Sequence, residues 1–135
     1  MKILLDTNVI VDNLAVREPF NKNANAIFNL IIEEHITGFV NTSSITDIYY
    51  ILSKTFSDTE NRAKIRVILN LLQAIEVTKG DCFNALDSLM PDFEDALVAV
   101  CADKVNIDYI VTRDEEFLKI PNAISPSDFL KKINP

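Results

Sequence analysis

Within its first six positions the chain runs from a short apolar stretch, Ile3-Leu4-Leu5, straight into an acid, Asp6. An apolar run this short reads as a buried strand rather than a helix, although periodicity alone does not separate the two. Open parallel sheets place their sites just beyond the carboxyl ends of their strands, so a carboxylate at that point is informative. Capping is the other reading. Asp and Thr are good N-caps, and Asp6-Thr7 precedes the apolar Val9-Ile10-Val11.

The rest of the chain alternates strand-like and helix-like segments. Val9 to Ala15 is expected as a short helix, stopped before Pro19. Asn21 to His35 carries Ala24, Ile27, Phe28, Ile31 and Ile32, the stripe of a surface helix packed on a core. Phe39 to Asn41 is expected as a second strand. Ile45, Ile48, Tyr49, Leu52 and Phe56 mark a third helix, with Ser44 and Asp47 at capping-box spacing. Asp58-Thr59 starts a helix faced by Ile65, Ile68, Leu69 and Leu72. Ile75 to Thr78 is expected as the third strand, Asp81 to Leu89 as a short helix, and Asp92 as the start of another. Asp108 to Thr112 is expected as the fourth strand. Ala123 to Ser125 is a short last one, and Ser125-Pro126-Ser127-Asp128 opens a final helix. Strands separated by helices argue for a mostly parallel sheet covered on both faces. With 135 residues, one domain over residues 1–135 is expected.

Composition narrows the chemistry. No apolar stretch approaches the roughly 18 residues of a membrane span, and no leader is evident, so no membrane association and a cytoplasmic location are expected. Cys82 and Cys101 lack metal-type spacing and read as small buried hydrophobes. The net charge of −7 argues against broad gripping of phosphate backbones by basic surface. Cations held by carboxylates can nevertheless present positive charge locally. The one histidine, His35, follows Glu33-Glu34 at a helix end and reads as solvated, which leaves histidine-based nucleophilic catalysis unsupported. With only two glycines there is no Gly-rich phosphate loop. Asp6-Thr7-Asn8 also lacks the second aspartate two positions on that a haloacid-dehalogenase-type phosphatase needs. Arg62, Lys64 and Arg66 form the most basic local surface and are the best candidates for an RNA-backbone contact.

Four aspartates share one context. Asp6, Asp47, Asp95 and Asp114 each follow a strand or sit in the first turn of the next helix. In a parallel α/β fold such points converge on one edge of the sheet. Asp47 lies about 200° from Ile45 around its helix, off the buried stripe. Asp92, Glu94 and Asp95 together exceed what one cap needs, and close carboxylates repel unless a cation or proton intervenes. Hard oxygen ligands suit magnesium or manganese, and a two-ion site steadies both the attacking and leaving oxygens of a phosphodiester. The residues thus point to a metal-dependent enzyme acting on phosphate esters. A phosphatase using the same acids stays open at this level.

These segments resemble the PIN domain, the ribonuclease fold of the VapC-type toxins. Leu4 to Asp12, LLDTNVIVD, is similar to the opening motif. Ser43 to Leu52 is similar to the second, Pro91 to Ala102 to the third, and Asp108 to Phe117, DYIVTRDEEF, to the fourth. The closing Ile124 to Leu130 resembles the end of one PIN subfamily. The resemblance implies a three-layer domain with a central, mostly parallel sheet of four to five strands flanked by helices. It implies a metal-dependent endoribonuclease, with one or two Mg2+ or Mn2+ ions activating the water that attacks an RNA phosphate. Asp6 and Asp95 would be the core ligands, and Asp47 and Asp114 would complete the set. Asn8 and Thr112 would orient them, with Asp92, Glu94 and Glu116 as supporting acids. A homodimer and a small antitoxin partner that blocks the site are further implications. Two departures stand out. Asp47 replaces the more usual glutamate and is one methylene shorter, and Asp114-Glu115-Glu116-Phe117 is a compressed fourth motif in which Glu116 can share the role of Asp114. They keep a catalytically weak RNA- or protein-binding module as the alternative.

Overall fold

A computed structural model describes residues 1–134. Five strands form one parallel sheet: β1 (Lys2–Leu5), β2 (Thr37–Asn41), β3 (Gln73–Ile75), β4 (Tyr109–Val111) and β5 (Ala123–Ile124). Their order across the sheet is β3-β2-β1-β4-β5, every pairing parallel. Seven α-helices accompany them: α1 (Thr7–Leu14), α2 (Asn21–Ile32), α3 (Ile45–Leu52), α4 (Asp58–Leu71), α5 (Lys79–Leu86), α6 (Phe93–Lys104) and α7 (Pro126–Ile133). No helix is long and apolar enough to cross a membrane, among the described residues.

The alternation of side chains along each strand builds the two outer layers. Ile3 and Leu5 of β1, Val40 of β2 and Val111 of β4 face a core made with Ile10, Ile27, Ile48, Ile68 and Phe129, so α1, α2, α3, α4 and α7 cover that face. Leu4, Phe39 and Ile110 point the other way, onto Val98, Cys101 and Ala102 of α6. Helix α5 packs on α6 through Ala85, Ala96 and Leu97. Burial on both faces explains why the strands read as near-continuous apolar runs. At Gly38 a Cβ would stand 2.6 Å from Ile31 Cδ1 and 2.7 Å from Leu72 Cδ2, so glycine lets α2 and the end of α4 press onto β2.

Three local expectations are corrected. Strand β3 lies at Gln73–Ile75, not at Ile75 to Thr78. It is an edge strand whose Gln73 and Ala74 are exposed, so no apolar run announces it. Ser44 makes no capping hydrogen bond; it is buried at the end of a 3-10 turn, Thr42–Ser44, that leads directly into α3. The reciprocal capping box is instead Thr78 with Asp81, which starts α5 two residues before the expected Asp81. Cys101 is buried and Cys82 half-buried, both as free thiols.

Candidate active site

Strands β2 and β3 lie to one side of β1, and β4 and β5 to the other. The crevice beyond the carboxyl ends of β1 and β4 is thus the topological switch point, where open α/β sheets place ligands. Two short segments meet there. Asp6 follows β1 and Thr112 follows β4, tied by the Asp6 backbone N–H donating to Val111 O at 3.0 Å.

Asp6 is both cap and site acid. Its Oδ1 accepts from the Thr7 backbone N–H at 2.9 Å, which caps α1. Its Oδ2 accepts from the Thr112 hydroxyl at 2.7 Å and from the Asn8 amide at 3.4 Å. Thr112 is fully buried, and its Oγ1 also accepts from the Asp114 backbone N–H at 3.0 Å. Asn8 Oδ1 accepts from the Arg113 backbone N–H at 3.3 Å. Asn8 and Thr112 therefore tie the Asp6 carboxylate to the segment that carries Asp114.

The third-motif acids come from the first turn of α6. Asp92 is the N-cap, its Oδ1 accepting from the Asp95 backbone N–H at 2.9 Å. Asp95 is pushed up to about 7, first by burial and then by the charges of Asp92, Asp6 and Asp114. Asp6 is also raised, chiefly by burial and against the lowering effect of Thr112 and Thr7, with Asp114 and Asp92 adding repulsion. Asp92, Asp95, Asp114 and Glu116 line a cavity of about 330 Å³ with Met90 and Pro91. Glu116 turns its carboxylate to Lys119 at 2.9 Å, while its backbone N–H donates to Asp114 Oδ1 at 2.9 Å.

Asp47 stands to one side. Its partner is Glu94, whose pKa is raised to about 7, first by the hydrogen bond to Asp47 and then by burial and neighbouring acids, Asp6 among them. Two carboxyl groups share a hydrogen bond only if one keeps its proton. Glu94 is thus coupled chiefly to Asp47, and the charge of Asp6 adds the smallest part of its rise.

Among the described residues, Asp6, Asp47, Asp92, Glu94, Asp95 and Asp114 form no salt bridge. The other acids that face the protein interior are neutralised: Asp12 by Arg113 and Asp81 by Lys104. The uncompensated group is all oxygen, hard and anionic, and this donor set fits magnesium or manganese. Among the described residues, no three acids, histidines or cysteines converge closely enough to hold one ion as they lie. Of these six acids Asp92, Asp95 and Asp114 line the cavity, and Asp6, Asp47 and Glu94 are not part of its lining.

The basic candidates fare differently. Arg62 pairs with Asp58 at 2.9 Å, and Lys64 lies over the Phe56 ring while its Nζ donates to Leu14 O at 3.4 Å. Arg62 and Arg66 remain exposed and line one surface cavity together, while Lys64 is half-buried. His35 is exposed and sits 3.3 Å from Glu33, a solvated position as expected. Sequence reasoning missed Arg113 and its partner Asp12, 101 residues apart, because nothing local joins them.

These features define a parallel α/β domain with an acidic, cation-seeking centre at its switch point. A family model described as PIN domain matches residues 2–116, and the chain belongs to the PIN domain family. Ribonuclease VapC1 of Aquifex aeolicus is 27% identical over 121 residues, covering 86% of this chain and 83% of that protein. Among solved structures, VapBC2 of Rickettsia felis bound to a promoter DNA fragment superposes with a TM-score of 0.65 at 23% identity, over 93% of this chain and 97% of the other. VapC20 of Mycobacterium tuberculosis, a toxin that cleaves the sarcin-ricin loop, gives 0.69 at 14% identity, over 85% and 92%. These likenesses agree with the three-layer architecture expected from the sequence.

Proposed function

We propose that the chain is a divalent-cation-dependent endoribonuclease and the toxin half of a toxin–antitoxin pair. The observation that carries this reading is the set of six acids at the switch point with no basic partner. An RNA phosphate cannot approach such a group without a cation, so the site makes chemical sense only when one is bound. Asp6 and Asp95 are assigned as the core ligands, with Asp114 and the Asp47–Glu94 pair completing the donor set and Asp92 and Glu116 as supporting acids. A bound magnesium or manganese ion supplies Lewis-acid polarisation of the phosphate and activation of water. The chain's own part is positioning. Thr112, Thr7 and Asn8 lock Asp6, and Thr112 carries that order to Asp114. Asp6 and Asp95 are half-buried, which strengthens their attraction for a cation over that of fully solvated carboxylates.

Similarity to Ribonuclease VapC1 and to an RNA-cleaving toxin supports RNA as the substrate class. The similar fold found in a toxin–antitoxin complex from Klebsiella pneumoniae supports a protein partner, the expected small antitoxin. Exposed Phe83, Leu86 and Leu89, on and just after α5, supply an apolar surface on which a second copy would form the homodimer. A cytoplasmic location accords with that activity. The test is cleavage of total RNA by the wild type and by Asp95→Asn. The reading predicts discrete fragments that need magnesium or manganese and vanish with chelator and in the variant. Cleavage that persists in Asp95→Asn would remove Asp95 from the site.

The alternative, a binding module with weak catalysis, has one specific observation in its favour: Asp47 meets the cluster only through Glu94. It predicts RNA or partner binding with no cation-dependent turnover in the same assay.

A further inference from the structure

The residues after β4 face two cavities in turn. Asp114 and Glu116 line the acidic one. Arg113 and Glu115 line another, of about 510 Å³, whose walls are Phe20, Leu118, Pro126 and the two serines Ser125 and Ser127. Its size falls in the range of roughly 300–1,000 Å³ typical of small-molecule sites. The two cavities have no lining residue in common and are linked through alternating residues of the segment 113–116; the proposed activity makes no use of the second.

Its cation is held in an unusual way. Arg113 Nε donates to Asp12 Oδ2 at 2.6 Å and Nη2 donates to Oδ1 at 2.9 Å, a bidentate fork on an acid only 1% exposed. The guanidinium carbon lies 3.7 Å from the centre of the Phe20 ring. Fork and ring fix the plane of the guanidinium, and the Nη1 hydrogens remain outside the bidentate pair. Phe20 stays 44% exposed. The guanidinium covers one face of the ring, so a base has the other side of Phe20 to stack on. An aromatic ring with a rigid arginine against it and hydroxyls at the rim suits a nucleotide, although Glu115 on the same wall opposes a phosphate placed near it. Stacking of this kind tolerates any base, because every base has a π-face.

We propose that this cavity receives a nucleotide of the same RNA strand that enters the acidic site, its base on the side of Phe20 away from Arg113 and its phosphate on Arg113. The assignment rests on the ribonuclease reading of the acidic site. It makes Phe20 and Arg113 binding residues, and Asp12 the residue that positions Arg113. It also gives a chain of net charge −7 a second hold on RNA besides the cation site.

The chain contains no tryptophan, so Phe20→Trp installs a single fluorescent reporter that keeps an aromatic face beside Arg113. The experiment titrates this variant with adenosine 5′-monophosphate and with single-stranded RNA hexamers, and measures RNA cleavage by wild type, Phe20→Trp and Phe20→Ala. Saturable quenching of the introduced indole, a KM raised about tenfold in Phe20→Ala with the loss concentrated in KM, and recovery in Phe20→Trp are expected. RNA cleavage by the wild type with an unquenched indole and no change of KM in Phe20→Ala would overturn the pocket and leave the ribonuclease reading standing. The pocket would then suit a peptide, the partner type of the toxin–antitoxin complexes. Neither quenching nor cleavage would overturn both. Quenching without cleavage would support the pocket and count against the ribonuclease.

Discussion

Helix α1 carries an acid at each end, and the two have opposite surroundings. Asp12, near its last turn, is gripped by Arg113 at 2.6 and 2.9 Å, with Arg17 3.7 Å away. Asp6, the N-cap, is held by a backbone N–H, a hydroxyl and an amide, none of them charged. Both face inward, and both belong to the same stretch of sequence. The fold has compensated one charge and left the other for something outside the chain. A buried acid with its own cation is a structural element, whereas the acids without one are those proposed above to hold a cation. Asp81 repeats the first case. Its hydrogen bonds from Lys104 and Thr78 hold it at about 2, while Glu94 and Asp95 sit at about 7.

The contrast breaks most visibly at Asp12. Removing one partner of a buried pair costs about 3–5 kcal/mol, and somewhat less where the other partner reaches solvent, as Arg113 does. Asp12→Asn is therefore expected to lower unfolding free energy by about 2–3 kcal/mol in denaturant titration, and a change within experimental scatter would dissolve the distinction. Asp6→Asn should do the reverse. Cleavage of RNA falls by about 100-fold or more, by analogy with loss of one preorganised electrostatic group, while stability holds or rises because one repelling charge is gone. An Asp6→Asn protein that unfolds readily would make Asp6 a structural cap after all.

A smaller effect separates the two ends of the acidic cluster. Glu94→Gln removes the carboxyl coupled to Asp47, and supporting partners of metal ligands carry about 10- to 100-fold in affinity. We expect manganese affinity to weaken about tenfold by calorimetry. Unchanged affinity would mean that Asp47 and Glu94 lie outside the metal's reach.

The smallest effect is on pH. Glu94 and Asp95 keep their protons up to about 7 in the fold, whereas unfolded carboxylates release theirs at about 4. Between those values the folded chain binds more protons than the unfolded one, so stability falls as pH rises from about 4 to about 7. Asp81 acts oppositely: its contribution is present above about 4 and is lost as pH falls towards about 2. In chelator, Tm should be higher at about pH 5 than at about pH 8, and magnesium should narrow the difference. A Tm that rises steadily to about pH 8 without cation would contradict the repulsion among these acids.

The fold was legible because burial on both faces leaves a strong mark. Leu4 and Leu5, Phe39 and Val40, and Ile110 and Val111 are paired runs that must be covered above and below. Edge strand β3 was misplaced because Gln73 and Ala74 bear no such requirement. At the site, Asp6, Asp95 and Asp114 announced themselves by position, each at a strand end or a helix start. Asp12 did not, since an acid inside an apolar helix reads as a polar exception until Arg113 is folded beside it. The Asp47–Glu94 contact was equally invisible: it joins the first turns of α3 and α6, and no local pattern sets the angle between those helices. Arg62 meets Asp58 one turn earlier in its own helix, a pairing the sequence spacing already allows, whereas the contact of Lys64 with Leu14, 50 residues away, needs the fold.

The central claim is that the acids at the switch point form a divalent-cation centre. The direct measurement is calorimetric titration of the isolated wild type with manganese, alongside Asp6→Asn combined with Asp95→Asn, both verified as folded. Saturable binding in the wild type that disappears in the double variant is the predicted result. Equal binding by both proteins, or none by the wild type even with RNA present, would contradict it.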